Sequence, residues 1–162
     1  MKTLIVYYTW HNGNTKRIAE MIRKKTDADI SAIETVVPYP DEYRKASDQG
    51  KMETETGFTP EIKKLPYDIS QYGRIIIGTP TWWYTMAPAV LSFLKANDFS
   101  GKQVIPFMTN AGWPGTVIKD MISNCPGAEI VSPMEILFDP DGGDILITDE
   151  SAIEQWIDSF SC

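Results

Sequence analysis

The segment 9–15 combines hydroxyl, amide and glycine groups (Thr9-Trp10-His11-Asn12-Gly13-Asn14-Thr15) with no acidic residue. It follows an apolar run and precedes a helical pattern, so its backbone N–H groups should lie at a helix N-terminus. Such groups, with nearby hydroxyls and amides, can surround a phosphate without a cation. We expect Thr9, Asn14 and Thr15 to contact it. The alternative is that these residues only make a turn and cap the helix.

A second segment, 79–88, places Trp82, Trp83 and Tyr84 in succession between Pro80 and Pro88. Aromatic rings in a proline-bounded loop form a flat apolar wall that suits a planar ring. One of these rings could be structural, but a loop has at most one inward face, so at least one should contact a ligand. The candidates in this segment are Pro80, Thr81, Trp82 and Trp83.

A third segment, 109–115, adds small residues, two glycines and another tryptophan. Glycine lets a backbone approach a ring edge closely, and free N–H and C=O groups can hydrogen-bond a polar heterocycle. Alone the segment predicts only a turn, but at the end of a neighbouring strand it would form a third wall of a cleft. Its candidates are Thr109, Asn110, Ala111, Gly112 and Trp113.

Other chemistries fit poorly. The chain lacks the Walker and GxGxxG motifs, and its one histidine, His11, excludes a catalytic triad or a multi-histidine metal site. The acidic run after Asp139 does not follow the EF-hand order of acids and glycine. A response regulator would need acids where Tyr8-Thr9 and Gly78-Thr79 stand. We therefore expect no catalytic side chain and no metal, and we expect Cys125 and Cys162 to be thiols without a catalytic role.

The elements that must position these segments alternate between strands and helices. Continuous apolar runs typical of buried parallel strands occur at 2–8, 29–37, 74–78, 102–108 and 128–131. Helical spacing occurs at 14–26, 41–49, 87–97, 116–123 and 149–160, the last with an N-cap at Thr148. This alternation predicts a doubly wound five-stranded parallel sheet of order 2-1-3-4-5 with helices on both faces. The three segments would then meet at carboxyl strand ends, beside the switch point.

Composition bounds the protein class. The chain has 162 residues with 43% apolar and 23% charged residues, which predicts a single domain over residues 1–162. The formal charge of −7 disfavours nucleic acid and anionic membranes and would favour a basic partner protein, although solubility alone could explain it. We found no apolar run of membrane-spanning length and no secretory leader, so the expected location is cytoplasmic.

Taken together, the three segments resemble those of the flavodoxin family. The resemblance spans about residues 1–131 and is carried by Tyr8-Thr9-Trp10 with Gly13-Asn14-Thr15-Lys16, by Ile77 to Trp83 with Pro88 and Phe93-Leu94, and by Gly101-Lys102 with Phe107 to Asn110. It implies a flavodoxin-like three-layer α/β/α fold and noncovalent FMN. It assigns Thr9, Asn14 and Thr15 to the phosphate, 80–83 to the flavin ring and 109–112 to the far ring edge. The first loop is one residue longer than the usual pattern, which leaves His11 and Asn12 without a clear counterpart, and Trp113 has none.

The resemblance leaves two functions open. One is a low-potential electron carrier whose FMN supplies the redox chemistry and whose partners are other redox proteins. The other is an enzyme of the same fold that takes hydride from NAD(P)H and reduces a quinone. The acidic charge and short chain favour the carrier, whereas the long segment 38–72 could shape a substrate pocket.

Overall fold

The computed structural model describes residues 1–161, so the thiol expected at Cys162 lies outside the described residues. Seven strands occur in this part of the chain: β1 Thr3–Tyr7, β2 Asp29–Ala32, β3 Arg74–Trp82, β4 Thr85–Met86, β5 Gln103–Asn110, β6 Glu129–Ile130 and β7 Met134–Leu137. Five α-helices accompany them: α1 Asn14–Lys25, α2 Tyr43–Thr56, α3 Pro88–Ala96, α4 Val117–Ser123 and α5 Glu150–Asp158. A single 3₁₀ turn covers Ile69–Gln71.

The sheet has the predicted doubly wound order. Its strands run β2-β1-β3-β5-β6, each parallel to its neighbour, and this is the predicted order 2-1-3-4-5 once the short strand β4 is left out. The central strands β1 and β3 are buried on both faces, as their β-branched runs predict; Ile75, Ile76 and Ile77 are fully buried. The fold class is therefore confirmed.

Helices cover both faces of the sheet. One apolar core includes Ala46 of α2 with Val90 and Phe93 of α3, and the other includes Ile18 of α1 with Ile153 of α5. These two cores make the three-layer arrangement that right-handed crossovers require. No helix among residues 1–161 is both long and apolar enough to span a bilayer.

The outer edge of the sheet is one interrupted strand. The first half of β5 pairs with β6 and the second half pairs with β7, both in parallel. Pro133, which lacks an N–H group, and Ser132, with φ of 43°, separate the two halves. Sequence patterning predicted only the first half, at 128–131, and missed β7. The chain leaves β7 at the same sheet edge where the three candidate segments end.

Several element bounds differ from the sequence expectations. Strand β2 ends at Ala32 rather than at residue 37, and helix α2 runs to Thr56 rather than to residue 49. The segment expected to be a loop from Thr79 continues as strand to Trp82 and folds back into β4. Helix α5 has its N-cap one residue later than expected, because the Thr148 hydroxyl accepts the N–H of Leu137 instead of capping the helix.

Candidate functional site

The three predicted segments meet at the carboxyl ends of β1, β3 and β5, where they border a cleft of about 350 Å³. Thirteen of the fifteen candidate residues line it: Thr9, Trp10, His11, Asn12, Asn14, Thr15, Pro80, Thr81, Trp82, Trp83, Thr109, Asn110 and Ala111. Gly112 and Trp113 do not belong to the lining. The N–H of Gly112 donates to Asn110 Oδ1 over 2.8 Å, and the Trp113 side chain is 66% exposed. Their role in binding stays a prediction.

Two further walls were missed by sequence reasoning. Helix α2 contributes Tyr43, Ala46 and Ser47, and the chain after β7 contributes Phe138, Asp139, Gly142 and Gly143. The sequence analysis allowed that the segment 38–72 could shape a pocket, but the polar sequence of α2 did not indicate that the first two turns of this helix border the cleft. The second wall follows strand β7, and a strand of only four residues has too short a pattern to be recognised in the sequence.

The first loop offers an uncapped helix N-terminus. Gly13 is the N-cap residue of α1 in a left-handed conformation (φ 71°), and no side chain caps the helix there. The first intrahelical bond runs from the Arg17 N–H to the Gly13 carbonyl. The N–H groups of the preceding helical residues therefore have no intrahelical partner. An anion is a favourable partner for such groups.

One buried hydroxyl in this loop has no partner. Thr9 Oγ1 is the one buried side-chain polar atom, among residues 1–161, that makes no hydrogen bond. Burying a hydroxyl without a hydrogen bond is unfavourable by about 1–3 kcal/mol. Thr15 differs, because its hydroxyl shares a 2.9 Å hydrogen bond with the Thr109 hydroxyl and so joins the first loop to the third. The unpartnered group lies at the place where sequence predicts a phosphate.

The longer first loop carries an aromatic stack. His11 has φ of 62°, and its ring stacks on Trp10 with a centroid distance of 5.2 Å and an interplanar angle of 29°. Both rings also contact Tyr43 of α2, at 5.9 Å from Trp10 and 6.0 Å from His11. The extra residue thus lets the first loop reach across the cleft to α2.

Trp82 and Trp83 have different surroundings. Trp82 is partly buried among aromatic rings, edge-on to Tyr8 at 5.8 Å and to Tyr39 at 4.9 Å. Its indole also lies against Gly50 of α2, where an added Cβ would come within 2.9 Å of a ring carbon. Trp83 is 42% exposed and lines the cleft. Of the two, Trp83 is the more exposed, and Lys51 Nζ lies over its ring at 5.3 Å from the centroid.

The turn that presents Trp83 is strained. Trp83 and Tyr84 both have positive φ, 48° and 67°, a conformation that costs non-glycine residues about 1–3 kcal/mol each. Tertiary bonds hold the turn in place. Trp83 Nε1 donates to the Ser47 carbonyl over 2.8 Å, and the Tyr84 carbonyl accepts the Thr116 N–H over 2.8 Å. Strain maintained in this way clusters at ligand sites.

Behind the aromatic wall lies a buried carboxylate. Glu53 of α2 is 3% exposed and accepts hydrogen bonds from Tyr39 Oη at 2.7 Å and from Gln49 Nε2 at 3.2 Å. Burial, and then the hydrogen bond to Glu53, raise the pKa of Tyr39. Burial, with the nearby Glu53 charge, also raises the pKa of Tyr8. Both phenols therefore stay protonated over the physiological range.

The loop at residues 139–144 is tied to the first loop and to α1 by three side-chain donors. Asn12 Nδ2 donates to the Gly142 carbonyl over 2.5 Å, Asn14 Nδ2 donates to the Gly143 carbonyl over 3.0 Å, and Arg17 Nη1 donates to the Asp144 carbonyl over 3.3 Å. One amide hydrogen of Asn14, expected at the phosphate, is thus engaged elsewhere. This loop closes the cleft on the side of the predicted phosphate.

The cleft carries little charge. Its lining includes no lysine or arginine; His11 and Asp139 are the lining residues that can carry charge near neutral pH. No three His, Cys, Asp or Glu side chains of residues 1–161 are grouped to hold a metal ion. Burial raises the pKa of the Cys125 thiol to about 11, so this buried cysteine stays protonated. The lining suits a ligand bound by neutral hydrogen bonds and ring contacts.

The parallel sheet of this order, with a cleft at the switch point walled by three strand-end loops, defines a flavodoxin-like α/β/α protein. The chain belongs to the flavodoxin family, whose sequence model matches residues 2–157. The resemblance stated from sequence is thereby confirmed. No curated protein sequence matches the chain significantly.

Solved structures share the fold over nearly the whole chain. A protein of Bacteroides eggerthii assigned as a flavoprotein is 25% identical, with a TM-score of 0.79 over 99% of this chain and 98% of its own. A flavoprotein of Lactobacillus acidophilus, solved in complex with FMN, is 24% identical, with a TM-score of 0.72 over 96% and 97%. Oxidised flavodoxin 2 of Bacillus cereus is 21% identical, with a TM-score of 0.57 over 98% and 94%.

Proposed function

We propose that the protein binds FMN noncovalently in this cleft and carries electrons between partner proteins. Membership of the flavodoxin family and the FMN complex of the Lactobacillus neighbour support the cofactor. The observation that carries the proposal is the buried, unpartnered Thr9 hydroxyl beside an uncapped helix N-terminus. A phosphate at that place would accept hydrogen bonds from both.

The residues that line the cleft can contact each part of FMN, from its phosphate to its ring. A volume of about 350 Å³ is sufficient for a ligand partly exposed at its ring edge. Thr9 and the N–H groups at the start of α1 would hold the phosphate, and Trp83 would pack against the flavin ring. Backbone groups of the third loop, at Asn110 and Ala111, would hydrogen-bond the ring edge. When bound, FMN supplies reversible redox chemistry that no side chain provides.

The protein's own residues would set how readily the site accepts electrons. Reduction adds negative charge inside a chain whose formal charge is −7, and the Asp139 carboxylate and the aromatic walls disfavour that charge further. Each ~1.4 kcal/mol of destabilisation shifts the equilibrium about tenfold. We therefore propose a low potential. Tyr43 and Trp83 would limit the access of water to the ring.

The net negative charge of the protein also favours an electron carrier over an NAD(P)H-dependent enzyme. The acidic surface slows the approach of an anionic nicotinamide nucleotide, but it favours docking with a partner that presents a basic surface. We place the reaction in the cytoplasm, where Cys125 would remain the free thiol that it is in the fold.

An anaerobic assay of the FMN-loaded protein with NADH or NADPH and a quinone tests this function. The carrier should oxidise either nucleotide slowly by itself, and a redox titration should separate its two one-electron steps. Reduction by a basic partner protein should slow as salt is added. Saturable turnover at about 1–1000 per second would instead identify an NAD(P)H-dependent quinone reductase.

A further inference from the structure

A chain of side-chain contacts connects the cleft with the buried carboxylate of Glu53. Trp82 lines the cleft, and its ring meets the Tyr39 ring edge-on, with a centroid distance of 4.9 Å and an interplanar angle of 72°. Tyr39 is 8% exposed and does not belong to the cleft lining. Its hydroxyl donates to Glu53 Oε2 over 2.7 Å. Trp82 therefore joins a ligand in the cleft to a phenol that is held against a carboxylate.

The surroundings of Glu53 suit a proton acceptor. Each of its carboxylate oxygens accepts one hydrogen bond, Oε2 from Tyr39 and Oε1 from Gln49 Nε2 at 3.2 Å. No lysine or arginine among residues 1–161 forms an ion pair with it. With no cation on its oxygens, the carboxylate is available to take up the proton of the phenol that it already contacts.

Tyr8 provides a contrast within the same aromatic cluster. Its ring is edge-on to Trp82 at 5.8 Å, but no hydrogen bond joins its hydroxyl to Glu53 or to another carboxylate of residues 1–161. A phenol that loses an electron becomes strongly acidic, so the loss is favourable only where a base takes the proton at once. Of the two tyrosines in ring contact with Trp82, Tyr39 is the one that has this base.

We propose that Trp82 and Tyr39 form a relay that supplies one electron to an oxidant held in the cleft, with Glu53 accepting the phenolic proton. The inference rests on the proposed function, because the oxidant that we assign is light-excited FMN. Trp82 passes one electron to the oxidant and recovers one from Tyr39, whose Oη proton moves along the hydrogen bond to Glu53 Oε2. The oxidant gains one electron, Tyr39 becomes a neutral phenoxyl radical, and Glu53 becomes a carboxylic acid.

The proton transfer compensates the charge that enters the cleft. A chain of formal charge −7 disfavours an added electron there, and neutralising Glu53 removes one negative charge from behind the aromatic wall in the same step. Burial, and then the hydrogen bond to Glu53, raise the pKa of Tyr39. The phenol is therefore protonated before the step, and its proton leaves together with the electron. The reverse transfer returns both and restores the starting state.

Blue-light flashes on the FMN-loaded protein without oxygen, followed by electron paramagnetic resonance, test the relay. Ring-deuterated tyrosine identifies the tyrosyl signal that the unaltered protein should give. Tyr39→Phe should lose the signal because it lacks the hydroxyl, and Trp82→Phe should lose it because phenylalanine is much harder to oxidise. Tyr8→Phe, which removes a hydroxyl from the same cluster, is the matched control and should retain it. Absence of the signal in the unaltered protein, its persistence in Tyr39→Phe, or equal loss in Tyr8→Phe overturns the inference.

The Glu53→Gln variant separates a proton acceptor from a structural partner. Glutamine keeps an oxygen that can accept the Tyr39 hydroxyl, but it cannot take up the proton. The folded, FMN-loaded variant should lose most of the tyrosyl signal. After the flash, the infrared C=O band of a protonated carboxyl should appear in the unaltered protein and be absent in Glu53→Gln. An unchanged tyrosyl yield in this variant overturns the role of Glu53; if the variant does not fold, the Tyr39 and Trp82 variants decide the relay.

A flavin-free experiment distinguishes failure of the relay from failure of the proposed function. If the protein binds no FMN, the proposed function is wrong, and azidyl radicals from pulse radiolysis then serve as the one-electron oxidant of tryptophan. The conversion of tryptophanyl into tyrosyl absorbance follows the second transfer of the relay. This conversion should be smaller in Tyr39→Phe than in Tyr8→Phe, and equal conversion in the two variants overturns the inference.

Discussion

Two buried threonine hydroxyls illustrate how a residue's partners decide its role. Thr9 Oγ1 has no hydrogen-bond partner, whereas Thr79 Oγ1 accepts the Ala87 N–H over 3.0 Å and donates to the Pro80 carbonyl over 2.9 Å. Thr79 therefore stabilises the β3–β4 turn region. The Thr9 hydroxyl contributes no protein hydrogen bond, which is the arrangement expected of a group that serves a ligand.

The same substitution should therefore have opposite effects at the two positions. We expect Thr9→Val to leave the free energy of unfolding of the flavin-free protein unchanged or slightly higher, and to weaken FMN binding by about 1–2 kcal/mol. Thr79→Val should lower the free energy of unfolding by about 1–3 kcal/mol, because the Ala87 N–H loses its acceptor. Urea unfolding measures the free energy of unfolding of each variant, and flavin titration measures its affinity for FMN. Loss of stability in Thr9→Val with no loss of FMN affinity would show that the hydroxyl is structural.

Trp83 is the most exposed of the three tryptophans that line the cleft, so it should dominate the fluorescence response to flavin. We expect Trp83→Ala to remove most of the quenching on FMN addition and to weaken binding by about 1–2 kcal/mol, since an aromatic contact of this kind adds about 0.5–1.5 kcal/mol beyond area burial. Trp113→Ala is the matched control, because Trp113 is outside the lining. Quenching that persists in Trp83→Ala but disappears in Trp113→Ala would assign the ring contact to the third loop.

For individual residues, the sequence predicted which side chains line the cleft. It did not predict which of them also pack against or hydrogen-bond to other parts of the protein. Residue type and position at a strand end were enough to predict that Thr9, Thr81 and Asn110 line the same cleft. The partial burial of Trp82 among rings from distant segments was not predictable, because it depends on where α2 packs. The same holds for the Asn12 and Asn14 amides, whose partners are about 130 residues away in the chain.

Helix α2 is positioned by a close contact between Gly50 and Trp82. An added Cβ at Gly50 would lie 2.9 Å from Trp82 Cε3, closer than carbon atoms pack. Alanine is a better helix former by about 1 kcal/mol, but overpacking costs about 1–3 kcal/mol. The packing cost should exceed the helix gain.

We therefore expect Gly50→Ala to lower the free energy of unfolding by about 1 kcal/mol and to weaken FMN binding, because Tyr43 and Ser47 move with the helix. In a Trp82→Phe background, the smaller ring leaves room, and the same glycine substitution should be neutral or stabilising. A double-mutant cycle by urea unfolding measures this difference. Additive effects of the two substitutions would contradict the contact as the factor that positions α2.

The presence of most strands and helices was easier to predict than the residues at which they begin and end. Buried strands β1, β3 and β5 stand out because both of their faces are apolar. Strands β4 and β7 have two and four residues and are defined by pairing with β3 and β5, which no local pattern encodes. The extent of α2 was underestimated because its helical residues are polar and its packing uses Gly50, a residue that local propensity counts against a helix.

For the whole molecule, the raised tyrosine pKa values predict an alkaline limit to stability. In the folded state the pKa of Tyr39 lies above the ordinary value of about 10, so the folded protein holds a proton that the unfolded chain loses. Stability from this group is complete below about pH 10 and is lost as the pH rises through the folded pKa. Tyr8 acts in the same direction.

We expect the free energy of unfolding to fall as the pH rises above about 10, and we expect this decrease with pH to be shallower in Tyr39→Phe. At neutral pH this variant should be less stable by about 1–3 kcal/mol, because Glu53 loses a donor. Tyr84→Phe, at an exposed position, is the control and should follow the parent at every pH. A pH slope that is identical in Tyr39→Phe and the parent would contradict the assignment.

The net charge and the location of the cleft together connect the fold to the proposed function. A chain of charge −7 has a cleft whose lining lacks lysine and arginine, so a phosphate must be held by neutral donors while the surface as a whole repels it. Salt should therefore strengthen FMN binding or leave it unchanged, because it screens repulsion between the surface and the ligand. A cation-based site would show the opposite dependence.

The central claim is that this cleft binds FMN through its phosphate, and the most direct test is a titration of the flavin-free protein with FMN and with riboflavin, followed by tryptophan fluorescence. The account predicts saturable binding of one FMN per chain with quenching, and riboflavin weaker by about 2–4 kcal/mol because it lacks the group that Thr9 and the start of α1 would bond. Equal affinity for the two flavins, or no quenching by FMN at concentrations up to about 1 mM, where a binding free energy is near −4 kcal/mol, would contradict it.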